Sequence, residues 1–345
     1  MRILFVYNNV LDGSFGGSQR TIQNLNGLKQ FAEVELLKFE KINKLHTLMN
    51  SLLGYLGNSS IKYKKILERK IKEIKYDYVF FDQTIHGKLV KYISKKYKQK
   101  CIVHYHNNDS DYYHDLFKTQ GVKFLSIYLA ARYNQNCSRK YAYRNVFITK
   151  EDSISVGKTS NEKEIIPITL NDKFIENEII TTNEPYILYV GSASYANIEG
   201  AKYIIEKIAD KTSLKFFLVG KGLKKELDNR RIKYPDNVLV MDYVENLSAC
   251  YKNACAFISP LLYGSGMKVK LAEALMYGKY IIGSPLSFWG YETIEASDIC
   301  YSVEDYIKAI NKLDNHKVFY KSNREIFCKN YSSICDERYF GMLFE

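Results

Sequence analysis

The stretch SPLLYGSGMKVKLAEALMYGKYIIGSP (259–285) sets Gly264, Ser265 and Gly266 ahead of two lysines, Lys268 and Lys270, and then one carboxylate, Glu273, within an apolar run. A glycine-rich loop opening a helix presents backbone N–H groups that have no partner inside the helix, and the helix dipole adds positive potential there. With one or two ammonium groups alongside, such a loop suits a diphosphate. A carboxylate two turns further on does not serve phosphates, because like charges repel. It accepts hydrogen bonds from a pair of vicinal hydroxyls such as those of a ribose. The alternative is a solvated surface glutamate. The flanking Leu271, Ala272, Ala274 and Leu275 argue instead for buried surroundings.

Two further groups have chemical character. In NNVLDGSFGGSQRT, which follows the first apolar run, Gly16 and Gly17 allow close backbone approach and Ser18 is suited to capping the next helix. The pattern is not the GxGxxG dinucleotide fingerprint, and no acidic residue closes the second strand, so a nicotinamide enzyme is disfavoured. In HYHNNDSDYYHD the histidines are His104, His106 and His114. A strand sets His104 and His106 on one face, and without cysteines or a close carboxylate set no metal is expected. His106 reads as either an active-site or a buried structural histidine. Arg20, Asp109, Tyr112 and Gln135, with Gln83 and His86, are polar residues placed to meet an acceptor.

The elements that must hold these residues alternate regularly. Short β-branched runs at 2–7, 33–39, 76–82, 100–106, 144–149 and 163–168 are separated by helical stretches near 19–31, 61–75, 86–97, 122–142 and 150–157. That alternation predicts a parallel α/β sheet. Residues 171–184 are polar and aperiodic and read as a linker. The alternation restarts with strands at 186–192, 214–220, 237–244, 255–260 and 279–285, and with helices near 198–210, 246–253, 268–278 and 303–313. Two doubly wound Rossmann-like α/β domains, 1–170 and 185–324, facing a central cleft are expected. The last stretch, about 325–345, is expected to pack back on the first domain.

The bulk composition agrees. A chain of 345 residues with 46% apolar residues fills two cores. The net charge of +12 suits an anionic partner: nucleic acid, a phosphorylated small molecule or an anionic membrane surface. Ten basic residues against three acids lie between Lys38 and Lys75, interleaved with Leu45, Leu48, Met49, Leu52, Leu53, Tyr55 and Leu56. This basic 38–75 region reads equally as an interfacial amphipathic segment making peripheral membrane contact and as a surface helix packed on a sheet. The seven cysteines form no Cys-x-x-Cys pair, no segment reads as a signal peptide, and no apolar run is long enough to span a bilayer. A cytoplasmic protein, possessing at most peripheral membrane contact, is expected.

GSGMKVKLAEALMYGKYIIGSP, with DYVENLSACYKNACAFISPL ahead of it, resembles the donor-binding region of the GT-B glycosyltransferases of family 4, the glycosyl transferases group 1. VYNNVLDGSFGGSQRT, IVHYHNND and YILYVGSASYANIEGAKYI extend the resemblance over nearly the whole chain. It implies a retaining glycosyltransferase that moves a sugar from a nucleoside diphosphate sugar to a glycan acceptor, such as a lipid-linked oligosaccharide, in surface or capsular polysaccharide biosynthesis. It also implies no cofactor and no obligatory metal. By this resemblance His106 and Lys268 are catalytic. The donor lies against Gly16, Gly17, Gly191, Val244, Glu245, Gly264, Ser265, Gly266, Met267, Lys268, Lys270 and Glu273. The base is held by Val244 and Glu245 and the ribose by Glu273.

Two positions depart from the family pattern. The first of its two glutamates eight residues apart is Ser265 here, and its Arg and Lys after the first strand of the second domain are Ser192 and Asn197. Lys268 and Lys270 can supply the missing charge. The departures keep open a GT-B-shaped partner that has lost catalysis. A nucleotide-sugar epimerase of the same shape is the other alternative. A nucleic-acid binder fits the net charge only.

Overall fold

Alternation of β-branched strands with helices builds two parallel six-stranded sheets, each in its own unit. The structure is a computed structural model that describes all residues except 14–15, 176–184, 264–265, 315 and 317. Gly264 and Ser265, and most of the expected linker, therefore lie outside the described residues. One unit is Met1–Pro167 together with Asp336–Glu345, and the other is Ile168–Cys335. The segment that returns to the first unit is thus 336–345, while 325–335 remain with the second.

In the first unit β1 (Arg2–Tyr7), β2 (Glu33–Lys38), β3 (Tyr78–Phe81), β4 (Cys101–Tyr105), β5 (Arg144–Phe147) and β6 (Lys163–Ile165) run in the order β2-β1-β3-β4-β5-β6. The pairing of β1 with both β2 and β3 is parallel. Successive residues of β1 feed opposite faces, as strand geometry requires. Leu4 and Val6 join a core with Phe81, Val103 and Phe147, whereas Ile3 and Phe5 join another with Phe80, Ile102 and Phe340. Phe340, from the returning helix Asp336–Gly341, packs on the helix Gly16–Lys29. A Cβ at Gly27 would meet its ring at 2.2 Å, so only glycine admits this contact.

The second unit repeats the plan with β7 (Tyr186–Val190), β8 (Lys215–Val219), β9 (Val238–Met241), β10 (Ala256–Ser259), β11 (Tyr280–Gly283) and β12 (Ser297–Ile299), ordered β12-β11-β10-β7-β8-β9. In both sheets the strand order reverses beside the first strand of the unit, at β1/β3 and at β7/β10. Loops leaving the carboxyl ends of the strands part at such a point and leave room for a ligand. Each strand read from the sequence is present, most of them shorter. β12 was not anticipated, nor were the helices Asp109–Gln120, Leu223–Asn229 and Lys321–Ile326. No described helix is long and apolar enough to cross a membrane.

Candidate functional site

In the first unit, polar side chains gather where β1, β3 and β4 end. Asp82 follows β3 and is completely buried. Its Oδ2 accepts from Thr21 Oγ1 at 2.6 Å, and its Oδ1 accepts from Asn24 Nδ2 at 2.6 Å and faces His106 Nε2 at 3.3 Å. A carboxylate opposite Nε2 favours a proton on that nitrogen and so orients the ring. The rings of His104 and His106 lie 4.9 Å apart, on one face of the strand end as expected. His104 Nε2 accepts from Arg20 Nε at 3.1 Å and Nη2 at 2.8 Å. Burial first, and then Arg20 and His106, hold His104 well below the ordinary histidine pKa. It is neutral.

Arg20 does not face an acceptor. It is 2% exposed, and its guanidinium also donates to Gln23 Oε1, Pro167 O and Ile166 O. Burial lowers its pKa to about 10 against the opposing pull of Asp336 and Asp82. Arg20 therefore braces the strand ends. The helix it lies on begins at Gly16. Ser18 sits inside the first turn and ties the preceding loop together rather than capping the helix: its hydroxyl donates to Val10 O and accepts from Gly13 N. Gly17 O accepts from Asn9 Nδ2 at 3.1 Å.

Asp109 is drawn into the cluster. Thr84 donates to its carboxylate, and burial raises its pKa against the influence of His106. Tyr112 is solvent-exposed, Gln135 is tied to Ser110 N and Asn108 Oδ1, and His86 is fully buried against Ser59. Thr21, Asn24 and Asp82 were not singled out from the sequence. Asp82 alone left a trace there, as a carboxylate closing the run YVFFD. Ligand atoms of Asp82, His104 and His106 all lie within 4.8 Å of one another. The nitrogen of His104 that faces Arg20 is already taken by a cation, which leaves a poor set for a metal ion.

In the second unit, the polar cluster lies at the helix Val269–Met276. Lys268 is its N-cap and no side chain caps the helix start. Gly266 has φ +69°, and its carbonyl accepts from Lys268 Nζ at 2.8 Å. Met267 is buried beside it. Glu273 is only partly exposed. Its Oε2 accepts from the hydroxyl of the buried Tyr251 at 2.9 Å, and both its oxygens lie 3.0 Å from Lys270 Nζ. The reading of Glu273 as a plain surface residue fails: Tyr251 fixes it from below. Burial, followed by the Glu273 charge, raises the Tyr251 pKa well above the ordinary phenol value, so the phenol stays a donor. Lys270 was expected to face a diphosphate, but it lies on the carboxylate three residues on. Tyr251, on the helix Leu247–Asn253, had no signal in the sequence.

The remaining donor-side residues sit at neighbouring strand ends. Gly191 follows β7, and its N–H bonds Val219 O at 3.0 Å. Gly220, after β8, approaches so closely that a Cβ there would lie 2.0 Å from Gly191 O. Ser192 O accepts from Asn197 Nδ2 at 3.0 Å, so the two residues in place of the family's cations bond each other. Past the end of β9, Val244 is partly buried and Glu245 exposed.

Comparison with known proteins agrees with this architecture. Residues 184–315 match the family model described as Glycosyl transferases group 1. A Klebsiella pneumoniae protein, described as an uncharacterized 44.6 kDa protein in the cps region, is 23% identical over 301 residues, covering 82% of this chain and 75% of the relative. The crystal structure of Anabaena Alr3699/HepE in complex with UDP-glucose matches with TM-score 0.67 at 13% identity over 100% of this chain and 99% of that one. Sucrose-phosphate synthase from Thermosynechococcus elongatus matches with TM-score 0.75 at 13% identity, over 100% of this chain and 98% of that one.

Proposed function

We propose, from the premise that the chain is a glycosyltransferase of GT-B fold whose residues 184–315 match the glycosyl transferases group 1, that it moves a sugar from a nucleoside diphosphate sugar to a glycan in surface or capsular polysaccharide synthesis, with retention at the anomeric carbon. The observation that carries the donor class is Glu273, held by Tyr251 at 2.9 Å about one turn beyond the uncapped entrance of its own helix at Lys268. A carboxylate has about four lone-pair directions; Tyr251 takes one, and once the Lys270 ammonium gives way those remaining accept the two hydroxyls of a pentose. The diphosphate then lies toward the helix entrance and Lys268. HepE bound to UDP-glucose supports this donor class, and the cps-region relative supports the pathway.

The residues work electrostatically. The leaving diphosphate gains charge as the glycosidic bond breaks, and amide N–H groups with the Lys268 ammonium offset that charge without rearranging. In the first unit, Asp82 orients His106 through Nε2 for contact with the sugar or the acceptor hydroxyl.

Thermal denaturation with UDP, GDP and their sugars tests the reading. A ligand that binds only the native chain stabilises it by about 2.7 kcal/mol at a hundred times its Kd. The matching nucleotide is expected to raise the Tm of the wild type, and Glu273→Ala is expected to lose that rise. A full rise in the variant would overturn the ribose assignment. Sugar transfer or donor hydrolysis with the same panel would eliminate the inactive-partner alternative.

A further inference from the structure

The basic region 38–75 separates in the fold, and part of it builds a pocket with residues from elsewhere. The helix Ile61–Glu73 brings Lys64 to the helix Gly87–Tyr97, where Lys88, Lys91, Lys95 and Lys96 join it around a cavity of about 350 Å³. Three tyrosines, Tyr55, Tyr92 and Tyr133, complete its wall. Lys64 Nζ lies 3.9 Å from the centre of the Tyr92 ring, and Lys88 Nζ lies 4.2 Å from that of Tyr55. Glu68 takes Lys96 at 2.8 Å, but among the described residues no carboxylate lies within ion-pair distance of the other four lysines. Like charges are thus held together over rings and hydroxyls. Burial, with Lys64 and Lys91 adding repulsion, lowers the pKa of Lys88. An anion in the pocket relieves that repulsion.

The pocket opens beside apolar side chains that the fold leaves in water. Lys88 Nζ donates to Leu53 O, and a Cβ on Gly54 would lie 3.5 Å from Tyr133 and 3.7 Å from Lys88 Nζ. From this corner one stripe, Leu48, Met49, Leu52 and Leu53, runs back along the helix Lys44–Leu52. A second, Leu125, Leu129 and Tyr133, follows one face of the helix Leu125–Tyr141 at four-residue spacing. Ser51 Oγ donates to Ser126 Oγ at 3.1 Å, which joins the two helices. All seven side chains are exposed, Leu52 to 74%. Leucines beside a cation cluster satisfy both halves of a lipid interface: phosphates meet the ammonium groups and leucines enter the acyl boundary. A nucleic acid would use only the lysines.

We infer that this face of the first unit docks the chain on an anionic phospholipid bilayer, with the lysine pocket around a lipid phosphate and Leu52, Leu53 and Leu129 in the interface. The inference goes beyond the transferase reading and does not depend on it. It moves the contact from the whole 38–75 segment to a composite surface that includes 87–97 and 125–133.

Vesicle flotation of the full chain tests it. With phosphatidylcholine vesicles carrying roughly one-third phosphatidylglycerol, the chain is expected to float at low salt and to be released at about 0.5 M salt. With phosphatidylcholine alone it is expected to stay in solution. Lys88→Glu with Lys91→Glu is expected to lower partitioning at least tenfold. Leu52→Glu, at a position too exposed to affect folding, is expected to lower it severalfold with an unchanged Tm. Absence of flotation with anionic vesicles, equal flotation with neutral ones, or full flotation of Leu52→Glu would each overturn the proposal; the first would point to a soluble polyanion as the ligand of the lysines.

Discussion

At the carboxyl edge of the first sheet, Arg20 and His104 spend their hydrogen-bonding capacity on each other, on Asn24 and on the carbonyls of Ile166 and Pro167, and Asp82 spends its own on Thr21, Asn24 and His106. At the same edge of the second, Glu273 has one buried anchor, Tyr251, and a half-exposed lysine that a ligand can displace. The topologies are equivalent, so the difference lies in which side chains the strand-end loops supply. A charge buried on all sides must keep its partners, because removing one strands the rest. A carboxylate fixed on one side keeps lone pairs for a ligand. The first cluster holds His106 in place; the second is the one proposed to bind.

The largest test of this contrast is Arg20→Ala. It strips His104 Nε2 and Ile166 O of the Arg20 donor, leaves Pro167 O only Gln23, and removes the cation on which Asp336 and Asp82 act. The first unit is expected to lose about 3–5 kcal/mol in urea unfolding followed by circular dichroism. A loss under about 1 kcal/mol would place the first cluster in the same class as the second. Acid comes next. His86 is buried with its pKa lowered to about 3, and His104 is lowered as well, in each case chiefly by burial. The unfolded chain takes up these protons near pH 6.5, while the native chain does not. Stability is therefore full above about pH 6.5 and falls as pH drops toward 3, by about 1.4 kcal/mol per pH unit from His86, with His104 adding to the loss in the same direction. Both belong to the first unit. The single tryptophan, Trp289, belongs to the second, and its fluorescence transition is expected to move less with acid. Equal movement would break the contrast.

How far this was legible in the sequence differs between the clusters for a physical reason. Glu273 stood out because a carboxylate amid Leu271, Ala272, Ala274 and Leu275 violates the apolar pattern of its own helix. The lysines and glycines of the donor loop are adjacent in sequence, so their joint chemistry is visible. The Asp82 cluster is assembled across 61 residues from Thr21 and 58 from Asn24, and none of its members breaks a local pattern. Arg20 read as an acceptor-side residue from its position after the first strand; only its bonds to the carbonyls of Ile166 and Pro167 show why it is buried. The strands themselves were plain from β-branched runs. β12 was missed because Ser297–Ile299 is three residues long with a single β-branched apolar side chain. The helix Asp109–Gln120 was missed because its four large apolar residues, Tyr112, Tyr113, Leu116 and Phe117, recur at helical spacing only once, between polar stretches at both ends.

Within the second cluster the two partners of Glu273 are expected to behave differently. Tyr251→Phe removes the buried hydroxyl and its bonds to Glu273 Oε2 and Lys270 O. A hydrogen bond to a charged acceptor contributes about 1.5–3 kcal/mol, so the second unit is expected to lose about that much. Nucleotide affinity is expected to weaken about tenfold in the same variant, because the carboxylate loses its aim. Unchanged affinity would detach the phenol from the site.

Lys270→Met is the smallest change and divides the two roles open to that lysine. Its ion pair with Glu273 has an ammonium 40% exposed, at three-residue helical spacing. Such pairs contribute about 0.3–0.5 kcal/mol, so the Tm is expected to stay nearly constant. The effect on binding discriminates more sharply. If Lys270 serves only to cover the carboxylate until a pentose arrives, its removal frees two acceptor oxygens and leaves diphosphate contacts to Lys268 and the helix amides. Nucleoside diphosphate affinity, measured by calorimetry, is then expected to stay within about threefold of wild type. A tenfold loss would return Lys270 to the phosphates, and it would mean that the ion pair opens on binding so that both of its members touch the ligand.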